Sequence, residues 1–299
     1  HRDLHSFPTR RSSDLLMVSL AASSAAVPAA RIVPDFRAAL TVHLVESNAT
    51  LRAAQTEALA DCGAPIQIHD DASPALVGRA HRFADGPVIV IANEFLDALP
   101  VVQLVFKDGA WHERVVAVDE GSGSLAFDAG QIADSDPALL PETLVPKDGD
   151  IFEISRAAVE IATMLAARHA HGPVAALLID YGHAASGFGD TLQGVTAQTY
   201  VSPFHAPGCA DLSVQVDFEK LATAARAGGL AVDGPVPQAQ FLGQLGIVER
   251  ASRLMAANPL QAGAIEAGVQ RLMAPVGMGS RFLAIGLRSP ELAPLPGLS

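Results

Sequence analysis

The apolar run Val88-Ile89-Val90-Ile91-Ala92 stops abruptly at Asn93-Glu94-Phe95-Leu96-Asp97-Ala98-Leu99-Pro100. This step from unbroken hydrophobic side chains to an amide and two acids constrains the fold more than any other stretch of the chain. A short apolar run bounded by polar residues reads as a strand buried on both faces, and such strands belong to sheets covered by helices on each side. In open α/β sheets the ligand crevice lies beyond the carboxyl ends of the strands. Asn93, Glu94 and Asp97 are therefore candidates for chemistry.

The remaining pattern agrees with that class. Residues 40–45 read as a short strand ending at Glu46, and Asn48 as the cap of a helix reaching about Ala60. After Pro100 the spacing changes to a β-meander at about 101–128. Residues 101–107 and 111–118 flank the hairpin signal Asp108-Gly109, and residues 125–127 follow a Gly-Ser-Gly loop. Residues 129–150 read as an Asp/Pro-rich connection, and 151–171 as one helix, with Ile154, Ala158, Ile161 and Leu165 on a face and Gly172 as its stop. The strand 174–179 ends in Asp180-Tyr181-Gly182-His183. Helices at 219–227 and 241–257 and a final strand at 281–287 complete the alternation, which predicts an α/β sheet with helices on both faces and a meander insertion.

A composition 49% hydrophobic and 17% charged is globular, and the net charge of −12 excludes a general nucleic-acid or anionic-membrane binder. A basic protein segment or cationic cofactor would instead be attracted. The two cysteines, Cys62 and Cys209, form no C-x-x-C pair and point to a reducing compartment. No stretch is apolar enough to span a membrane. Residues 10–30 imitate a secretory signal. However, Ser6-Phe7-Pro8-Thr9-Arg10-Arg11-Ser12-Ser13-Asp14-Leu15 matches the in-frame translation of a sequencing-library adapter. Residues 1–15 are thus expected to be an assembly artefact, the signal to be spurious, and the protein to begin upstream, with 16–299 as its truncated domain.

Two readings of the Asn93 segment are compatible. Asn93 caps a short helix with Glu94 in its first turn and Pro100 at its end. Alternatively, Glu94 and Asp97, three apart on one helical face, aim two carboxylates at a cation, for which a planar guanidinium is the best match. Glu46 is placed where nucleotide-binding folds bind a ribose, or is a solvated strand-end acid. The glycine loop expected about 20–30 residues before such an acid is missing, since Gly63 is the first glycine. Asp180, Tyr181 and His183 lie on the ligand-facing edge, with a cap or turn role open for Asp180. His169 and His171 complement a helix end and lack suitably spaced partners, so no metal is expected.

The chain resembles the MidA family of class I S-adenosylmethionine-dependent methyltransferases, whose mitochondrial members are complex I assembly-factor arginine methyltransferases. Val42-His43-Leu44-Val45-Glu46, the nine residues from Ala92 to Pro100, Leu178-Ile179-Asp180-Tyr181-Gly182-His183, Pro207-Gly208, Asp211-Leu212, Val216-Asp217-Phe218 and Phe241-Leu242 fall in family order. The nine-residue motif is the most specific of these. The resemblance implies a Rossmann-like methyltransferase sheet, S-adenosyl-L-methionine as cofactor, and symmetric dimethylation of an arginine on a respiratory complex I core subunit. It implies cofactor roles for Glu46, Asn93 and Asp70, a grip on the target guanidinium by Glu94 and Asp97, and a pocket including Asp180, Tyr181 and His183. It further implies the bacterial cytoplasm or the mitochondrial matrix as location.

The family's first strand and E-x-G-P-G-x-G-T loop are absent, displaced by residues 1–15, so this chain is expected to bind the cofactor poorly and to be impaired as an enzyme. The alternatives are a non-catalytic assembly chaperone and a methyltransferase of another nitrogen nucleophile. A nicotinamide oxidoreductase is weakest, for want of a loop.

Overall fold

The computed structural model describes residues 42–46, 48–58, 66–70, 87–133, 140, 144–197 and 199–299. The adapter-like and signal-like segments, Cys62 and Gly63 lie outside these residues. In chain order the elements are β1 (Val42–Val45), α1 (Ala49–Ala58), β2 (Ile66–His69), β3 (Val88–Asn93), a 3-10 turn at Leu96–Ala98, β4 (Val102–Lys107), β5 (Ala110–Val118), β6 (Leu125–Ile132) and β7 (Ile151–Ile154). There follow α2 (Arg156–His169), β8 (Val174–His183), β9 (Gln193–Thr196), β10 (Thr199–Val201), β11 (Asp211–Ser213), β12 (Val216–Asp217) and α3 (Phe218–Ala227). β13 (Ala231–Pro237), α4 (Gln238–Gln244), α5 (Ile247–Ala257), α6 (Ala262–Met273), α7 (Met278–Arg281) and β14 (Phe282–Arg288) end the chain.

The described residues fall into two compact units, one made of Leu96–Glu160 and Gly182–Leu221, the other of the remainder. In the latter, β8 pairs in parallel with β3, from Val88 opposite Val174 to Asn93 opposite Ile179. Along its other edge β8 runs antiparallel to β14, which pairs in turn with β13. β-Branched and aliphatic residues fill these strands because they suit a pleated, covered surface. Val174, Ala176, Leu178, Ala284, Ile285 and Leu287 are fully buried. Val236, Phe241, Ala284 and Leu298 form a core cluster, with Leu177 and Ile179 packed on it. β1 and β2 make a separate parallel pair, Val45 opposite His69. As expected, Asn48 caps α1, its Oδ1 accepting the Thr50 N–H at 2.8 Å.

The other unit is built on an antiparallel sheet ordered β6-β5-β4-β7. Asp108 (φ 51°) and Gly109 (φ 78°) both take left-handed backbone, the conformation of a type I′ turn, at the hairpin signal read from the sequence. Leu104, Phe152 and Ile154 form the core beneath Trp111 and Phe188. Beyond the residues that pair with β3, Gly182 and His183 run parallel to β12. A Cβ on Gly182 would stand 2.1 Å from the Val216 carbonyl oxygen, so the β12 approach requires glycine.

Several expectations are corrected. Residues 151–171 are not one helix: Ile151–Ile154 form β7, antiparallel to β4, and α2 starts only after Ser155, whose Oγ accepts the Ala158 N–H at 3.2 Å. A helical face read through Ile154 was coincidental with strand alternation. The segment 241–257 is two helices, α4 and α5, broken at Gly246 with φ 80°. β6 runs on to Ile132, longer than the run at 125–127. β3 is not buried throughout, since Ile89 is 58% exposed. Asp180 to His183 continue β8 and do not follow it.

Candidate functional site

The Asn93 segment is shaped by a competition between ladder and turn. β3 carries its register past its last residue, because the Glu94 N–H donates to the Ile179 carbonyl at 2.9 Å. The chain must then leave the sheet, and it does so with Glu94 at φ 51°. An L-residue with a side chain pays roughly 1–2 kcal/mol to enter this region, and such strain persists only where the surroundings over-determine it. The over-determining group is Asp180. Its Oδ2 accepts the Phe95 N–H at 3.0 Å and its Oδ1 accepts the Tyr181 N–H at 2.9 Å. Asp180 is itself buried. It is thus neither a helix cap nor a turn residue, but a strand residue fastening the turn.

This geometry overturns the shared helical face. Glu94 is left-handed, and the 3-10 turn begins only at Leu96, so Asn93 does not cap a helix with Glu94 in its first turn. Asn93 ends β3, and its Nδ2 lies 3.4 Å from Glu94 Oε1. Asn93, Glu94, Asp180 and Tyr181 are brought together at the carboxyl end of β3. Tyr181 packs against Phe282, ring centroids 5.7 Å apart.

Asp97 belongs to the meander unit and is 1% exposed. Its carbonyl accepts the Val214 N–H at 3.0 Å. His183, in the same unit, stands opposite Asp217 in the β8–β12 register and meets the Ala185 carbonyl at 2.8 Å through Nδ1. The loop after it is tied by Ser186, whose Oγ donates to Asp217 Oδ2 and whose N–H donates to Glu219 Oε2, both at 2.7 Å.

Glu46 and Asp70 close the parallel pair β1–β2. Glu46 is fully buried, against the reading of it as a solvated acid. Its Oε1 accepts the Asn48 N–H at 2.8 Å, and its carbonyl takes the Arg52 guanidinium at 2.7 Å. Asp70 is exposed and, with Arg52, Ala53, Thr56 and Ile68, lines a cavity of about 400 Å³, within the usual range for small-molecule sites. At the end of β2, Asp70 offers acceptors to hydroxyl groups and attraction to a sulfonium charge, so this cavity fits a nucleoside-bearing cation. Asp70, not Glu46, meets that cavity.

Two constellations had no motif to announce them. His43 Nδ1 and His69 Nε2 are 3.0 Å apart in stacked rings, and burial, then the neighbouring His69, pushes the His43 pKa down to about 4. In the meander unit Gln103 donates to Glu153 at 2.7 Å and to Asp190 at 3.1 Å. Arg114 reaches Gln103 and Asp190, and Thr191 donates to Glu153. These partners are separated by up to 87 residues, which spacing cannot reveal. Among the described residues no group of three or more His, Cys, Asp or Glu side chains could hold a metal ion, and no helix is long and apolar enough to cross a membrane.

Residues 25–236 match the family model described as "Putative S-adenosyl-L-methionine-dependent methyltransferase". The chain is 32% identical over 260 residues to a zebrafish (Danio rerio) protein named protein arginine methyltransferase NDUFAF7, mitochondrial, covering 81% of this chain and 60% of that protein. The mouse (Mus musculus) protein of the same name is 31% identical, over 82% of this chain and 58% of its own length. The chain thus spans about three fifths of the length of these curated relatives. A crystal structure from Burkholderia thailandensis with S-adenosyl-homocysteine bound superposes with a TM-score of 0.73 at 24% identity, covering 86% of this chain and 66% of that one. At that identity the likeness establishes the fold, an α/β methyltransferase fold.

Proposed function

From the premise that this chain belongs to that S-adenosyl-L-methionine-dependent methyltransferase family, we propose that it transfers a methyl group to an arginine nitrogen of a protein substrate. The observation that carries the reading is Glu94 itself: an acid held in left-handed backbone at the carboxyl end of β3, fastened through Asp180. A glycine would take that backbone without penalty, so an acid there is kept for its side chain.

When bound, S-adenosyl-L-methionine supplies an electrophilic methyl group on a sulfonium centre. Asp70 offers acceptors for its ribose hydroxyls, buried Glu46 positions the chain beside it through the Asn48 N–H, and Asn93 offers an amide for its methionine part. A free guanidinium is protonated, with a pKa above about 12, and is a poor nucleophile. Glu94 accepts its N–H groups, holds one nitrogen toward the methyl, and stabilises the positive charge on the guanidinium. Orientation then removes much of the entropic barrier. Asp180 acts as a positioning residue through the Phe95 amide. The protein-arginine names of the relatives support a protein substrate. The finer reading is symmetric dimethylation of a respiratory complex I core subunit, in the matrix or the bacterial cytoplasm.

The test is methyl transfer from isotope-labelled cofactor to protein, with the modified side chain identified by mass spectrometry. Label on arginine supports the reading; label confined to lysine, histidine or a small amine refutes it.

A further inference from the structure

One face of the β5–β6 hairpin is unusually apolar. Register places Val116 opposite Phe127, Val118 opposite Leu125 and Arg114 opposite Ala129, and residues directly opposite in an antiparallel pair share a face. Val118 is 61% exposed, Leu125 39% and Val116 37%. At the tip of the hairpin stand Asp119 and Glu120, both exposed. Hydrogen bonds from Ser122 hold the Asp119 carboxyl below its usual range.

Inward, the same face passes into the polar network. The Arg114 guanidinium lies 3.6 Å over the Phe127 ring, and Phe127 packs on Phe204 at 4.6 Å. Arg114 then binds Gln103 at 3.0 Å, and Gln103 binds Glu153. Glu153 holds Thr191, whose Oγ1 accepts the Gln215 N–H at 2.9 Å, and the adjacent Val214 N–H reaches the Asp97 carbonyl. Within this unit an unbroken set of contacts leads from the exposed strip to the turn that carries Asp97.

We infer that the strip of Val116, Val118 and Leu125, with Asp119 and Glu120 at its tip, docks an extended, basic and apolar segment of the arginine-bearing protein substrate. This rests on the arginine methyltransferase reading. An extended chain laid on the strip sets every second side chain against the valines and leucine, while basic residues at its end reach the two acids at the tip. The span from Arg114 to Val118 is about 13 Å, four rises of strand. The net charge of −12 draws a basic segment and discourages self-association across this face.

The probe is a fluorescein-labelled decapeptide of alternating valine and arginine, titrated by anisotropy against the full chain. Wild type binds it, Val118→Lys/Leu125→Lys weakens binding at least tenfold, and Asp119→Asn/Glu120→Gln weakens it about threefold and flattens its salt dependence. Val248→Lys/Leu254→Lys, an equal charge change on the exposed part of α5, leaves affinity unchanged. Equal affinity in all variants, or no binding by wild type, overturns the inference. So does light scattering that shows a dimer lost in Val118→Lys/Leu125→Lys with peptide affinity intact, which would make the strip a contact between two copies. Calorimetry with S-adenosyl-homocysteine on the same samples tests the methyltransferase reading separately: no uptake even at millimolar ligand, with peptide binding as described, refutes that reading and leaves the strip a peptide site.

Discussion

The Asp180 carboxylate accepts the Phe95 amide across 85 residues of sequence, at 3.0 Å. A buried acid in one strand thereby fixes the backbone direction just after Glu94 in its neighbour, and the left-handed turn cannot relax without giving up a charge-assisted hydrogen bond.

Removing that acid exposes its role. Asp180→Ala leaves the Phe95 and Tyr181 amides short of an acceptor and costs about 3 kcal/mol, whereas Asp180→Asn retains one acceptor oxygen and costs about 1 kcal/mol. Urea denaturation of both variants measures this ordering, and equal losses would show that charge, not acceptance, is what Asp180 provides.

Glu94 separates stability from activity. Glu94→Gly relieves left-handed strain and raises stability by about 1 kcal/mol, yet abolishes methyl transfer. Glu94→Gln keeps the strain and lowers kcat by about 10²–10³-fold, the cost of losing one preorganised charge. A glycine variant less stable than wild type would show that the Glu94 side chain serves the fold.

Gly182 is a packing test. Gly182→Ala drives a Cβ into the Val216 carbonyl, 2.1 Å away, and overpacking of this kind costs about 3 kcal/mol. A melting temperature within two degrees of wild type, about 1.3 kcal/mol at most for a chain of this size, would mean that β12 shifts freely.

Acid weakens the β1–β2 pair. His43 titrates at about 4 in the folded chain against 6.5 for the free side chain, so between these values the unfolded chain binds a proton the folded one refuses. Its contribution is fully present above pH 6.5 and is lost as pH falls toward 4. Burial also lowers His69, against the opposing pull of Asp70. Denaturation midpoints should fall through this window and fall less in His43→Gln; identical slopes would exclude the histidine pair.

How much of this could be read in advance depended on the range of the forces involved. The Asp108-Gly109 turn and the Asn48 cap are local, and their residues announce them. β7 was misread because four residues, Ile151-Phe152-Glu153-Ile154, satisfy both periodicities, and only pairing with β4 decides between them. Glu94 was placed in a helix for the same reason: its backbone is set by Ile179 and Asp180, not by its neighbours. The Gln103, Arg114, Glu153 and Asp190 network left no trace in sequence spacing, because strand register assembled it.

The most direct measurement pairs wild type with Glu94→Gln. Each is incubated with methyl-labelled cofactor and a protein extract, methylarginine is mapped by mass spectrometry, and S-adenosyl-homocysteine affinity is determined alongside. The expected result is weak arginine methylation by wild type, none by the variant, and equal affinity for the cofactor product. Equal methylation by both proteins would contradict the role given to Glu94 and the mechanism built on it.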